Sequence, residues 1–391
     1  MTLFGLLALG LLTGFSAYLG RRIGGAFPRF KALIWGLLAA QALLLPLSFT
    51  LMRAASRAPW QPFVSWPAYL LFGCSTLLFA GVASTDLLIL LARLPDVVRR
   101  ARGGAGADRF DPARRRLFAG VGYGATLALG AGATVLGYRE ARRLAAVVEI
   151  EVPIVGLPRS LVGLRVAQLS DVHIGPTITG EYLRAVVERV NALGVDLVAV
   201  TGDLMDGTVE ALGAEVSIIG DLRSRHGTFF VTGNHEYYSG AEAWLEALRG
   251  YGLRTLVNEH VVLEHDGETV VVAGVTDLSA ERMMPTHRSD PAAAIRGAPP
   301  AALRLLLAHQ PRSALAAVTV EGGFHLQLSG HTHAGQYFPW TLLIGLVQPF
   351  AAGLNKLGEM WIYTNRGTGY WGPPNRMGEP AEITLLRLVS A

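Results

Sequence analysis

Apolar positions along this chain follow two different rules. Through residue 140 they come in long unbroken runs. Four of these approach or reach the length needed to cross about 30 Å of hydrocarbon, at residues 3–20, 32–52, 67–91 and 117–137. Beyond Arg143 the runs shorten and alternate with amphipathic stretches. Residues 164–169, 197–200, 229–231, 270–273, 303–308 and 326–328 read as buried strands, and 181–193, 209–222, 241–249 and 312–318 as helices laid on a sheet. The pattern predicts two parts: an all-α four-span membrane region over 1–143 and an α/β domain over 148–391.

Charge orients the first part. Arg21, Arg22, Arg29 and Lys31 follow the first run, and Arg93, Arg99, Arg100, Arg102, Arg109, Arg114, Arg115 and Arg116 lie between the third and fourth. The second connection has only Arg53 and Arg57. The positive-inside rule then puts the first and third connections in the cytoplasm, with the α/β domain periplasmic or otherwise extracytoplasmic. Arg139, Arg142 and Arg143 pull weakly the other way. Arg115-Arg116-Leu117-Phe118 reads either as a twin-arginine export signal or as ordinary stop-transfer charge, and both give the same sidedness. Asp86 falls inside the third run, as an intramembrane functional carboxylate or as a group near the cytoplasmic interface. The single cysteine, Cys74, excludes an intrachain disulfide framework. The net charge of +4 resides largely in the predicted cytoplasmic loops, so it does not argue for nucleic acid as a partner.

Candidate chemistry is confined to the second part. Asp171-Val172-His173, Gly202-Asp203, Gly233-Asn234-His235-Glu236, His309 and Gly330-His331-Thr332-His333 each follow a predicted strand. Function in α/β domains gathers outside the carboxyl ends of strands, so five strand ends would converge on one edge. On an extended strand end, residues two apart point to the same side, so Asp171 and His173 can serve one ion. Asp203 has two oxygens with which to bridge ions about 3.5–4 Å apart. Asn234 offers an amide oxygen and His309 an imidazole, and this donor mixture suits Mn, Fe or Zn rather than Ca or Mg. Two such ions would activate a bridging water for in-line attack at phosphorus. His235 is then the candidate general acid, with Glu236 the candidate partner for its other ring nitrogen. The other histidines, His226, His260, His265, His287 and His325, are read as structural.

These blocks resemble the calcineurin-like metallophosphoesterase superfamily, whose pattern D-x-H, G-D, G-N-H-[DE], H, G-H-x-H is present in full. The flanking residues, including Ala334-Gly335-Gln336 and Asn365-Arg366-Gly367-Thr368-Gly369, look like its bacterial membrane-associated branch. The resemblance covers about 148–391 and implies a four-layer α/β/β/α sandwich. It implies that Asp171, His173, Asp203 and His333 hold one ion, and that Asp203, Asn234, His309 and His331 hold the other. It makes His235 the catalytic histidine and Asp206 a supporting or turn residue.

The segment 337–357 is apolar and contains Phe338, Trp340, Leu342, Leu343 and Leu346. It reads either as a strand pair or helix tucked on the core, or as a loop touching the bilayer. Trp340, Trp361 and Trp371 would suit an interface, and Arg366 and Arg376 are candidate phosphate or headgroup contacts. The expected protein is a multi-pass, membrane-anchored phosphoesterase. Its substrate is a phosphomonoester or phosphodiester, with membrane lipids among the candidates. The competing reading is a catalytically idle sensor or scaffold of the same fold at the membrane. Oligomeric state is not readable from these patterns.

Overall fold

A computed structural model describes residues 3–52, 58–102 and 112–391. The expectations that rest on Arg53, Arg57 and Arg109 lie outside the described residues. Two compact units are present, one formed by residues up to 49 with 63–138, the other by 50–62 with 139–391.

The first unit is helical. Each apolar run becomes one helix: α1 (Leu3–Ala26), α2 (Lys31–Met52), α3 (Gln61–Ala101) and α4 (Pro112–Ala141). Among the described residues, three segments are long and apolar enough to cross a membrane, at Pro28–Met52, Gln61–Arg99 and Ala113–Ala141. The expected fourth span, α1, forms a helix but is not among them. α3 extends well past the predicted end at Leu91, through Pro95 and into the arginine-rich region. Helix contact is made through glycine notches. A methyl group added at Gly81 would meet the Thr126 side chain at 2.5 Å, and one at Gly122 would meet Thr85 at 2.5 Å. Gly81 and Thr85 on α3 thus face Gly122 and Thr126 on α4, each pair four residues apart, the spacing that lets helix backbones approach closely in lipid.

The second unit is built on two mixed six-stranded sheets. The first contains β1 (Ala146–Ile154), β2 (Arg165–Leu169), β3 (Leu197–Val200), β4 (Thr228–Phe230), β5 (Arg254–Thr255) and β12 (Glu382–Ser390), in the order β1-β12-β2-β3-β4-β5. Only the β12–β2 pairing is antiparallel there. The second contains β6 (Glu259–His265), β7 (Glu268–Gly274), β8 (Leu303–Leu307), β9 (Leu326–Ser329), β10 (Gly353–Leu357) and β11 (Met360–Thr364), in the order β10-β11-β9-β8-β7-β6.

Strand periodicity sorts the apolar side chains into layers. Leu197, Ala199, Phe229, Leu303, Leu305, Leu307 and Leu326 share one buried cluster between the sheets. The alternate residues Val198, Val200 and Phe230 join Leu183, Val186, Leu212, Trp244 and Leu248 from helices α5 (Gly180–Asn191), α6 (Val209–Val216) and α8 (Ala241–Gly250). On the opposite side Leu306 and Ile362 pack with Ala294 of α9 (Pro291–Ala294) and with Ala314 and Ala317 of α10 (Ala314–Ala317). Helix, sheet, sheet and helix therefore form four layers. The short helix α7 (Asn234–Ser239) follows β4, and α11 (Trp340–Val347) follows the last histidine block. β2, β3, β4, β8 and β9 end at the candidate residues, as the apolar runs predict.

Candidate metal centre

The loops after these strands carry unusual backbone geometry. Among the described residues, nine non-glycine residues have positive φ, and five are Asp171, His173, Asp203, His331 and His333. Such conformations cost on the order of 1–3 kcal/mol each and persist only where the surroundings enforce them. Asp171 and His173 reach a common side, but not through strand pleating. β2 stops at Leu169, and both residues sit in left-handed turns at φ 54° and 55°. Glycines clear the space around them. A side chain at Gly330 would overlap the Asp171 carboxylate, and one at Gly233 would overlap that of Asp203.

Three groups of ligand atoms result, each within 4.8 Å: Asp171, His173 and His333; His173, Asp203 and His235; and Asp203, His309 and His331. His333 Nε2 lies 3.3 Å from Asp171 Oδ1, and His309 Nε2 lies 3.2 Å from Asp203 Oδ2. His173 Nε2 is 3.9 Å from Asp203 Oδ2, and His331 Nδ1 is 3.2 Å from His309 Nε2. The Asn234 side-chain oxygen is buried without a hydrogen-bond partner. An orphaned buried acceptor is costly unless something electropositive meets it. That atom, with three shared clusters of carboxylate and imidazole, fits divalent cations of the borderline kind.

Protonation is arranged to match. Burial opposes ionisation of Asp171, Asp203 and Asp206, but neighbouring imidazoles hold all three below the usual carboxylate range. Burial and the Arg376 guanidinium bring His333 down to about 4. Burial also disfavours charge on His235, yet Asp203 and Asp206 outweigh it and push that ring up to about 9. The ionised Asp206 Oδ1 accepts from His235 Nδ1 at 2.5 Å and from His173 Nδ1 at 3.2 Å. His309 Nδ1 donates to the Thr201 carbonyl at 2.8 Å. With Nδ1 committed, each of these rings turns Nε2 toward the centre.

Some expectations need correction. Glu236 does not orient His235. Its fully buried carboxylate accepts from the backbone N–H groups of Gly233 (2.6 Å), Leu204 (2.8 Å) and Asp203 (3.0 Å). It therefore ties the second and third loops together, and burial with the Asp203 charge pushes it up to about 7. Asp206, read as a supporting or turn residue, is the ring's partner. The only sequence signal for it was its position three residues after Asp203.

The two arginines are also committed elsewhere. Arg376 is fully buried and donates to the carbonyls of Gly369 and Arg366 and to His333 Nδ1 (3.0 Å). Arg366 pairs with Glu379 at 3.1 Å and Glu382 at 2.9 Å. Burial keeps the Arg376 guanidinium from a phosphate, whereas Arg366 is partly exposed and held by its two carboxylates. Trp361 donates to the Pro153 carbonyl at 2.6 Å, which fastens it to β1 rather than to an interface. The histidines read as structural have such contacts: His226 with His265 at 2.9 Å, His260 with the Ala294 carbonyl, His287 with Tyr237, and His325 with the Arg304 amide.

Pattern reading missed what surrounds His235. The rings of Tyr238 and Trp371 meet it edge-on, at 5.3 and 5.4 Å between centroids. Gln336, at φ 62°, accepts from the Trp371 amide at 2.9 Å and donates to the Trp371 and Pro373 carbonyls. It thereby links the last histidine block to the Trp371 loop. Helix α11, which follows directly, buries none of its residues, and Leu342 and Leu346 are 70% and 80% exposed. It is not a tucked helix, while the end of the same segment, Gly353–Leu357, forms β10 and pairs with β11.

Residues 164–335 match the family model for calcineurin-like phosphoesterases. The chain is 36% identical over 332 residues to a transmembrane protein with metallophosphoesterase domain from Danio rerio, covering 83% of this chain and 74% of that one. That stretch is longer than residues 139–391, so the likeness continues into the helical region. A Bos taurus protein of the same description is 40% identical over 267 residues, covering 66% of this chain and 60% of that one. An uncharacterized metallophosphoesterase from Helicobacter pylori is 38% identical over 227 residues, covering 58% and 60%.

Proposed function

The chain belongs to the calcineurin-like phosphoesterase family, and on that premise we propose that it is a membrane-anchored, metal-dependent phosphoesterase whose site is the edge where β2, β3, β4, β8 and β9 end. Two ions are the best reading of that edge. Asp171, His173, Asp203 and His333 would hold one, and Asp203, Asn234, His309 and His331 the other. The observation that carries this is Asp203, whose carboxylate joins two ligand groups at once. When bound, such ions polarise phosphoryl oxygens and lower the pKa of water at neutral pH.

The remaining work falls to the protein. His235, which the Asp203 and Asp206 carboxylates favour in its protonated form and Asp206 holds through Nδ1, presents Nε2 toward the centre as the proton donor for a leaving alkoxide. Tyr238 and Trp371 pack edge-on against that ring. Glu236 and the left-handed turns fix the loops before substrate arrives, so little reorganisation is left for the reaction itself. An idle scaffold would have no use for an imidazole held by a carboxylate beside the ligands.

The substrate is a phosphoester with an apolar portion. This rests on α11, an exposed apolar helix that adjoins the His331–His333 block, in a chain that also carries membrane-length helices. Such a surface lowers its free energy by dipping into the lipid interface, where Trp340 is a favourable anchor. An extracytoplasmic α/β unit is the reading we favour. The connection between α2 and α3 carries less positive charge than its neighbours, and residues 139–391 follow it two helices later, which supports that side.

The test uses full-length protein with Mn, assayed on bis(p-nitrophenyl) phosphate, p-nitrophenyl phosphate and phospholipid vesicles. Wild type should turn over at least one of them, and His235→Ala should lose about 10²–10⁴-fold in kcat. Undiminished turnover by the variant would remove the acid assignment. Inactivity of wild type on every substrate and metal would favour the scaffold.

A further inference from the structure

Among the described residues, the helical unit contains a polar assembly that anchoring alone does not require. Asp86, on α3, receives three donors: the Tyr123 hydroxyl at 2.5 Å, the Tyr18 hydroxyl at 2.6 Å and Arg22 Nε at 2.8 Å. Arg22 also lies 5.7 Å from the centre of the Tyr18 ring. The carboxylate is thereby satisfied, and the arginine is fixed in direction. Beside them is a cavity of about 510 Å³ between α1, α3 and α4. Arg22, Arg93, Arg115 and Arg116 line it with Asp86 and Tyr123. Its remaining wall is aliphatic and includes Leu87 and Leu90, both well exposed.

Four guanidinium groups against one carboxylate leave a strong positive excess in a single concavity. Charge that served only to orient the helices would not need to converge from three of them. We propose that this cavity is a binding site for the phosphate-bearing headgroup of an anionic lipid, with more than one negative charge, in the leaflet that the arginine-rich connections face. Guanidinium groups grip phosphate oxygens in pairs. Basic pockets between membrane helices suit doubly charged headgroups. The aliphatic wall gives the acyl chains a surface to follow, which a free phosphate ion would not use. Asp86 takes no direct part. It is a positioning residue that holds Arg22 toward the cavity.

The experiment uses full-length protein in a neutral detergent, with retained lipid counted by native mass spectrometry and Tm followed in parallel. Cardiolipin, phosphatidylcholine and inorganic phosphate are the probes. Cardiolipin should be retained and should raise Tm, while phosphatidylcholine does neither. Arg93→Gln with Arg116→Gln should weaken cardiolipin binding roughly tenfold or more, because each arginine near a headgroup contributes about a kcal/mol. Arg184→Gln with Arg249→Gln, the same charge change on the α/β unit, should leave it unaltered. Binding by wild type should also fall as salt rises, a reading that needs no variant to fold. Equal retention of phosphatidylcholine, unchanged cardiolipin binding in the Arg93/Arg116 variant, or indifference to salt would each overturn the site. Displacement of cardiolipin by equimolar inorganic phosphate would identify a free anion as the ligand and end the lipid assignment.

Discussion

The two units use close approach in opposite ways. In the helices, glycine makes room for a neighbouring helix: Gly81 and Gly122 let α3 and α4 approach until Thr126 and Thr85 fill the notches. In the α/β unit, glycine makes room for charge: Gly233 and Gly330 stand against the carboxylates of Asp203 and Asp171. The backbones differ in parallel. All nine positive-φ non-glycine residues fall between Asp171 and Gln336, and among the described residues the helices have none. Polar side chains along the helices mostly bond to their own helix, as Thr13, Thr85, Thr126 and Thr134 do to the carbonyl four residues back. Those at the metal centre bond across loops far apart in sequence. The helical half is thus close to relaxed, whereas the other half holds strained loops that its packed sheets must enforce.

Removing one polar side chain should therefore cost very different amounts in the two units. The largest effect is expected at Glu236. Glu236→Ala strands three backbone N–H donors in a sealed site, and a loss of about 3–5 kcal/mol follows from unpaired buried donors. Chemical denaturation of the α/β transition measures it, and a loss under about 1 kcal/mol would contradict the role assigned here. Asp206→Asn comes next. It should fold, but it removes the carboxylate that His235 and His173 share. A fall of about 10–100-fold in kcat or metal affinity is expected, as for other partners of ligating histidines. The pH–rate profile should change too. His235 owes part of its raised pKa to Asp206, so the alkaline limb set by loss of its proton should move to lower pH.

Thr134→Val on α4 is the counterpart in the helices. It deletes a bond to the Gly130 carbonyl that duplicates a helix bond, and the change in Tm should correspond to less than about 1 kcal/mol. The smallest effect belongs to His325. Burial and Arg304 lower its pKa, and its Nδ1 accepts from the Arg304 amide at 2.9 Å. The unfolded chain then takes up this proton first as pH falls. The contribution is complete above about 6.5 and fades as pH drops toward the folded value. His325→Gln should flatten the Tm profile slightly between pH 7.5 and 5.5 relative to wild type.

Legibility followed the same division. β2, β3, β4, β8 and β9 could be found because parallel strands buried on both faces are continuous apolar runs. They also set the edge to which the candidate residues are attached. β1 and β12 escaped detection: β1 alternates, carries Glu149 and Glu151, and ends near Pro153, while β12 is separated from its partner β2 by most of the domain. The ligand types were legible, but their turns were not, since nothing local marks Asp171 or His331 as left-handed. The partner of His235 was assigned by adjacency in sequence, to Glu236. Spatial adjacency belongs to Asp206, because α7 turns Glu236 back onto the preceding loops. Arg366 and Arg376 have the composition of a phosphate clamp, and only the fold reveals that carbonyls, a histidine and two glutamates already occupy them.

The central claim is that Asp203 joins two ions in one site. Metal content per chain, measured by inductively coupled plasma mass spectrometry on full-length wild type and Asp203→Ala after reconstitution with Mn, examines it directly. The account predicts about two ions per wild-type chain, with the variant keeping at most one and losing hydrolysis. Two tightly held ions in the variant, or one ion in a fully active wild type, would contradict it.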